Sequence, residues 1–240
     1  MISIILPVFN ERENLAPLLE ELAVALAERP YEVVAVDDGS TDGSDEVLRA
    51  LSRRHDALRL VSFAANAGQS AAVAAGIEAA QGDLIVTMDA DGQNDPADLG
   101  ILLDAIAEEP GVSAAVGYRT GRVDSRWKLI QSRIANAVRD WITGDSVRDT
   151  GCSLKVFRRS AFAAVPRFDG MHRFLPTLIR QAGGQVVELP VSHRPRRWGR
   201  SKYGMWNRVM RGTRDAFGVR WLRRRALRYS LRESAKDDDA

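Results

Sequence analysis

The chain has 240 residues, enough for one domain with a full core, and its single cysteine, Cys152, excludes an internal disulfide and a multi-cysteine zinc site. No apolar run approaches the roughly 18–20 residues of a membrane span. The net charge of +2 hides an asymmetry, because Arg194 to Arg232 carries fourteen Lys/Arg and one acid, Asp215. A basic end of this kind suits an anionic partner, either nucleic acid or a membrane surface.

Short β-branched runs alternate with amphipathic stretches in the first half. "SIILPVF" (3–9), "YEVVAVDD" (31–38), "LRLVSF" (58–63) and "DLIVTMDA" (83–90) read as buried strands, and the opening run reads as a strand rather than a leader. Helical periodicity lies between them at 13–28, 44–54 and 68–80. This order predicts a largely parallel sheet with helices on both faces, whose ligands sit outside the carboxyl ends of the strands. The second half predicts strands at 113–119, 152–158 and 185–194, and helices at 125–144 and 171–184. Two basic amphipathic helices are expected at 203–217 and 220–233. The domain is expected to occupy 1–204, the basic helices 205–233, and a disordered acidic tail 234–240.

The strand ends carry the chemistry. The first ends with Asn10 and Glu11, the second with Asp37, Asp38, Ser40, Thr41 and Asp42, and the fourth with "MDADGQ". Acids gathered at one sheet edge repel one another unless something cationic or hydrogen-bonding is bound. Asp89 and Asp91 are two apart, so on an extended segment both carboxylates converge on one hard cation with oxygen ligands, Mg²⁺ or Mn²⁺. Gln93 can return an amide oxygen to the same site. A solvated turn is the plainer alternative for such a pattern. The chain has no G-x-G-x-x-G at the first strand and no P-loop motif, so a dinucleotide or P-loop fold is not supported.

With these motifs in view, the sequence resembles the family 2 glycosyltransferases, and among them the polyprenyl-phosphate, dolichol-phosphate mannosyltransferase-like group. The resemblance rests on "PVFNERENL", "VDDGSTDGS", "NAGQSAAVAAGIEAAQGD", "MDADGQNDP", "VGYR", "DTGCSLKVF", "GMHRFLP" and "RRWGRSKYG". It implies a single GT-A-like nucleotide-sugar-binding domain. By this resemblance Pro7, Val8, Asn10 and Glu11, with Asp37 and Asp38, line the nucleoside pocket, and Asp89, Asp91 and Gln93 form the metal and diphosphate site. Arg119, Arg133, Arg196, Ser201 and Lys202 match or neighbour the group's phosphate-handling positions. Many members of the group carry C-terminal transmembrane helices, and this chain has the basic segment there instead.

The implied reaction is metal-dependent, inverting transfer of a sugar from a GDP- or UDP-sugar to an undecaprenyl or dolichyl phosphate. An ionised phosphate acceptor needs no strong general base, whereas Arg and Lys must hold two anions together. Asp149 could orient the sugar, serve as base for a hydroxyl acceptor, or cap a turn. A soluble or protein hydroxyl acceptor is the alternative within the same enzyme class. A nucleic-acid binder is a distant one, because the basic stretch lacks a zinc, RRM or KH pattern. The segment 205–232 is expected to hold the protein peripherally on an anionic, cytoplasmic membrane face, or else to pack on the domain with a solvated basic face.

Overall fold

The computed structural model describes residues 1–120, 139–198 and 205–226. The strands are β1 (Ile2–Val8), β2 (Tyr31–Asp37), β3 (Leu58–Ser62), β4 (Leu84–Thr87), β5 (Val112–Arg119), β6 (Lys155–Arg158) and β7 (Gln185–Val191). The helices are α1 (Leu15–Ala25), α2 (Ser44–Ser52), α3 (Gln69–Ala79), α4 (Leu99–Glu108), α5 (Arg159–Ala163), α6 (Met171–Gln181) and α7 (Met205–Arg225). Residues 139–143 are also helical, at the end of the helix expected from 125. Arg133, Ser201, Lys202 and the tail 234–240 lie outside the described residues.

The strands form one sheet in the order β3-β2-β1-β4-β6-β5-β7. Alternate side chains of each strand enter opposite cores. Ile4, Leu6, Val33 and Val86 meet α1, α2 and α4 on one face through Leu18, Leu22, Leu48 and Leu102. Ile5, Val34, Val36 and Ile85 meet α3, α6 and α7 on the other through Val73, Leu175 and Val219. Each such aliphatic side chain contributes about 1.5–3 kcal/mol by leaving water. α3 lies close on the sheet because Gly76 faces Ile5 and Val36, and a Cβ there would collide with Ile5.

Two details depart from expectation. β6 runs antiparallel to both neighbours, with Thr87 opposite Lys155 on the β4 side. Its beginning, not its end, therefore lies at the carboxyl edge of β4. The two basic helices are one over the described residues: α7 continues unbroken through Gly218. Ala216 and Val219 turn inward and are buried, while Phe217 and Trp221 turn outward and are 54% and 61% exposed.

Candidate active site

In an open α/β sheet, the strands on either side of the point where the order reverses splay their connections apart and leave a crevice. Here that point lies between β1 and β4. A cleft of about 990 Å³ opens there. Its walls include Pro7, Val8, Glu11, Asp38, Asp89, Asp91 and Gln93 from the predicted set, and Arg119 and Arg196 opposite them.

The β1 and β2 ends are tied to each other by backbone donors. Asn10 adopts the left-handed conformation that Asn tolerates better than most residues, with φ of 55°. Its side-chain oxygen accepts the Thr41 N–H at 2.7 Å, and its own N–H donates to Ser40 Oγ at 2.9 Å. Asp37 accepts the Ser40 N–H at 3.3 Å. Asn10 and Asp37 thus shape the loop behind the cleft rather than its wall. Asp38 does line the wall, yet its carboxylate accepts the N–H groups of Ala67 at 2.6 Å and Gly68 at 3.0 Å and the Asn66 amide at 2.9 Å. It fixes the loop entering α3.

β4 ends at Thr87, so Asp89 and Asp91 converge through a turn and not through strand alternation. Gly92, at φ of 70°, supplies the left-handed step of that turn. Asp89 accepts the Gln69 side-chain N–H at 2.7 Å. Burial at the cleft floor pushes its pKa up, the Asp91 charge pushes it further, and Ser153, Lys155 and Arg119 only partly oppose them. Asp91 accepts the Gln93 N–H at 3.0 Å through one oxygen and the Arg196 guanidinium at 2.6 Å through the other. The same guanidinium reaches Glu11 at 3.2 Å. Gln93 engages Asp91 through its backbone, and its side chain shares the cleft wall.

The donor set is therefore two oxygen-only carboxylates in mutual repulsion, one already drawing a cation from the protein itself. That chemistry fits Mg²⁺ or Mn²⁺, although among the described residues no group of three His, Cys, Asp or Glu stands at ligand spacing.

The opposite wall is cationic. Arg119 forms a bidentate pair with Asp149 at 2.7 and 2.8 Å. Burial works against the guanidinium charge, but the hydrogen bonds and charge of Asp149 outweigh it, and the Arg119 pKa is raised. Asp149 also accepts the Gly151 N–H at 3.1 Å, so it stands behind Arg119 and orients it. Arg139, Lys155, His172 and Arg173 line this side too; of these the sequence reading assigned only His172, as structural or phosphate-contacting rather than a metal ligand. Lys155 is buried and donates to the Cys152 carbonyl; burial lowers its pKa, against the pull of Cys152, Asp89 and Asp149. Its sequence signals were a lone Lys inside an apolar run and its place in the resemblance motif "DTGCSLKVF".

A doubly covered α/β sheet with carboxylates and cations lining a cleft at its switch point defines a ligand-binding α/β domain. The chain belongs to glycosyl transferase family 2, which it matches over residues 3–165. It is 37% identical over 237 residues to the dodecaprenyl-phosphate galacturonate synthase of Rhizobium johnstonii, covering 96% of this chain and 68% of that one. It is 36% identical over 208 residues to the undecaprenyl-phosphate 4-deoxy-4-formamido-L-arabinose transferase of Edwardsiella ictaluri, covering 85% and 63%. The chain thus spans about two thirds of the length of these relatives.

Among solved structures, glucosyl-3-phosphoglycerate synthase from Mycobacterium tuberculosis, in complex with phosphoglyceric acid, aligns with a TM-score of 0.68 at 19% identity, over 93% of this chain and 79% of that one. A mannosyltransferase from Pyrobaculum calidifontis, in complex with GDP-Man and Mn²⁺, aligns with a TM-score of 0.64 at 20% identity, over 94% and 70%. These likenesses establish the shared fold.

Proposed function

We propose that this chain transfers a sugar, with inversion, from a nucleoside-diphosphate sugar to a polyprenyl phosphate. The observation that carries the reading is the pairing of the two walls: carboxylates at the β1 and β4 ends, and Arg119, Arg139, Lys155 and Arg173 across one cleft. The polyprenyl-phosphate transferases among its relatives support the acceptor class.

The nucleoside is assigned to the β1/β2 side, against Pro7, Val8 and the loop that Asp38 holds. Asp89 and Asp91, with Gln93 beside them, would hold a divalent cation. When bound there, Mg²⁺ or Mn²⁺ supplies Lewis-acid neutralisation of the departing diphosphate. Arg119 and Lys155 oppose the negative charge that gathers where acceptor phosphate and diphosphate meet, the Arg through a fork that suits phosphate oxygens. The acceptor phosphate is already ionised at neutral pH, so Asp149 is free to spend its charge on positioning Arg119. Arg196, with Ser201 and Lys202, is assigned to the phosphates; a cation held by Asp91 would compete with its guanidinium for that carboxylate.

The acceptor places the protein at an anionic, cytoplasmic membrane face. No described helix is long and apolar enough to cross a membrane. Beside the cleft, however, Trp141 is 73% exposed, and Phe217 and Trp221 stand out on the outer face of α7. The Arg220 guanidinium lies 5.5 Å from the Trp141 ring centre, and Arg223, Arg224 and Arg225 follow. Interfacial aromatics ringed by Arg suit a headgroup layer.

The test is transfer from a panel of UDP- and GDP-sugars to undecaprenyl phosphate, with Mn²⁺, Mg²⁺ or EDTA, in anionic and neutral liposomes. Metal-dependent transfer to the lipid phosphate is expected, with salt-sensitive binding to the anionic liposomes only. Transfer to hydroxyl acceptors alone, or full activity in EDTA, would overturn the reading.

A further inference from the structure

One group on the cleft wall has no task in the reading above. His172, the second residue of α6, lines the cleft. Its Nδ1 lies 2.7 Å from the Oγ of Ser70, the second residue of α3. Ser70 Oγ also accepts the Gly170 N–H at 2.9 Å. A Ser70 hydroxyl that donates to Nδ1 puts the ring proton on Nε2, the tautomer that ¹⁵N-histidine spectra read directly. Within the described residues this is the one hydrogen bond His172 makes, and its other edge is left to the cleft. Burial, reinforced by the positive charges of Arg173 and Lys155, holds the imidazole pKa down to about 3. The ring is therefore a neutral, directional N–H donor at physiological pH.

Its position relative to the reacting groups is fixed by α3. Gln69 donates to Asp89, and Ser70, the next residue, holds His172. Two adjacent residues of one helix thus hold the Asp89 carboxylate and the His172 imidazole, and Gly76 lets that helix sit tightly on β1 and β2. Across the sheet the nucleoside side lies at β2 and β1, the diphosphate side at β4, and the next step is β6 with Lys155. With nucleoside and diphosphate so assigned, the sugar would extend toward the β6 side of the cleft, where Lys155 and His172 line it and Lys155 is near enough to act on the imidazole.

We propose that His172 positions the transferred sugar, its Nε2–H donating to an oxygen substituent of the ring. This rests on the nucleotide-sugar reading above. A sugar oxygen suits this group better than a phosphate does. Four cations on the same wall already oppose anions, and a neutral donor adds direction without further charge.

The experiment compares His172→Ala and His172→Gln in the full chain. Calorimetry with Mn²⁺ measures binding of UDP and GDP, and of the UDP- or GDP-sugar that the unaltered protein uses. Steady-state kinetics follow transfer of the same sugar. In His172→Ala, kcat/KM for the nucleotide-sugar should fall about tenfold, the worth of one neutral hydrogen bond, with nucleoside-diphosphate affinity unchanged. His172→Gln, whose amide N–H reaches the position of Nε2, should recover most of the loss. ¹⁵N-histidine spectra should show an unprotonated Nδ1, a protonated Nε2 and no titration of this ring between pH 5 and 8.

Equal losses for nucleoside diphosphate and nucleotide-sugar would overturn the assignment, as would unchanged kinetics or an Nδ1–H tautomer. If His172→Ala fails to fold, His172→Gln and the spectra decide by the same criteria. An unaltered protein that binds UDP or GDP but no sugar conjugate would sink the sugar assignment alone. One that binds no nucleotide would overturn the reading beneath it as well.

Discussion

The two walls of the cleft are held in different ways. On the β1/β2 side the polar groups are consumed locally. Asp38 takes the N–H groups of Ala67 and Gly68, Asp42 takes those of Arg12 and Ser44, and Asn10 takes that of Thr41. These are short side chains on backbone donors, so they set the geometry of loops. On the other wall the charges sit on long side chains paired with carboxylates or carbonyls: Arg119 with Asp149, Arg196 with Asp91 and Glu11, and Lys155 with the Cys152 carbonyl. A guanidinium can exchange one anion for another with little backbone movement. The first wall is a frame, and the second is a set of charges that a ligand can recruit.

The strongest break in that contrast is Asp91→Ala. Asp91 sits on the frame side but offers one oxygen to Arg196. Its loss removes half of the carboxylate pair and frees the guanidinium to stay on Glu11. Transfer is expected to drop about 10³-fold or more, in line with the loss of a metal-centred or oxyanion-type stabiliser. The circular dichroism melt should stay close to that of the unaltered protein. Normal turnover would remove metal handling from this turn.

Asp149→Asn attacks the other wall. Asp149 and Arg119 are 17% and 15% exposed, so the guanidinium would be left with its charge largely out of water and one neutral partner. A cost of about 2–3 kcal/mol in urea unfolding is expected. A double-mutant cycle with Arg119→Met separates the pair from its surroundings. A cycle with no coupling would mean that Asp149 serves its turn and not Arg119.

The same contrast explains what the sequence could disclose. The frame was legible because its parts are local. β1, β2 and β4 are continuous apolar runs, and their polar ends follow at once in "VFNE", "VDDGSTD" and "MDADGQ". The switch-point rule then placed Glu11, Asp38, Asp89 and Asp91 at one edge. The hydrogen bonds that tie Asn10 to Ser40 and Thr41 were not legible, since they depend on the loop after β2 folding back onto the end of β1. The cationic wall was half legible. Arg119 stands at the end of β5, a parallel strand, where the rule looks. Lys155 stands at the start of β6, and only the reversal of that strand brings it to the cleft. His172 needed the packing of α6 on α3, over a separation of 102 residues from Ser70.

Asp89→Asn sharpens the contrast from the frame side, because Asp89 is the frame carboxylate that is not well paid for. Its pKa is raised in the folded protein. Between the unfolded and folded values the native state holds the extra proton, so the contribution to stability is present at low pH and lost as pH rises through the folded pKa. Without metal, ionising this carboxylate in the folded protein is thus a net burden. Asp89→Asn is expected to raise the melting temperature at pH 7.5 in EDTA while losing transfer. The gain should vanish below the ordinary Asp pKa of about 3.9. A lower melting temperature at pH 7.5 would show that the Gln69 hydrogen bond outweighs burial.

The smallest expected effect tests α7, which carries the outer edge of the cationic side. A sequence reading divides this segment near Gly218, as a glycine between two basic periodic runs suggests. The structure instead carries the helix through it, because Ala216 and Val219 bury one continuous stripe against the second core. Gly218 is exposed, its φ is not positive, and a Cβ added there meets no atom within 4 Å. In a continuous helix the substitution Gly218→Ala only removes backbone freedom from the unfolded chain. It should stabilise by about 0.5–1 kcal/mol, read as a higher urea midpoint at unchanged slope. Were the chain instead broken at Gly218 with a left-handed glycine closing the first helix, the same methyl would be strained and the midpoint would fall. Gly218 does not line the cleft, so transfer should be unaffected in either case, and the sign of the shift alone distinguishes one helix from two.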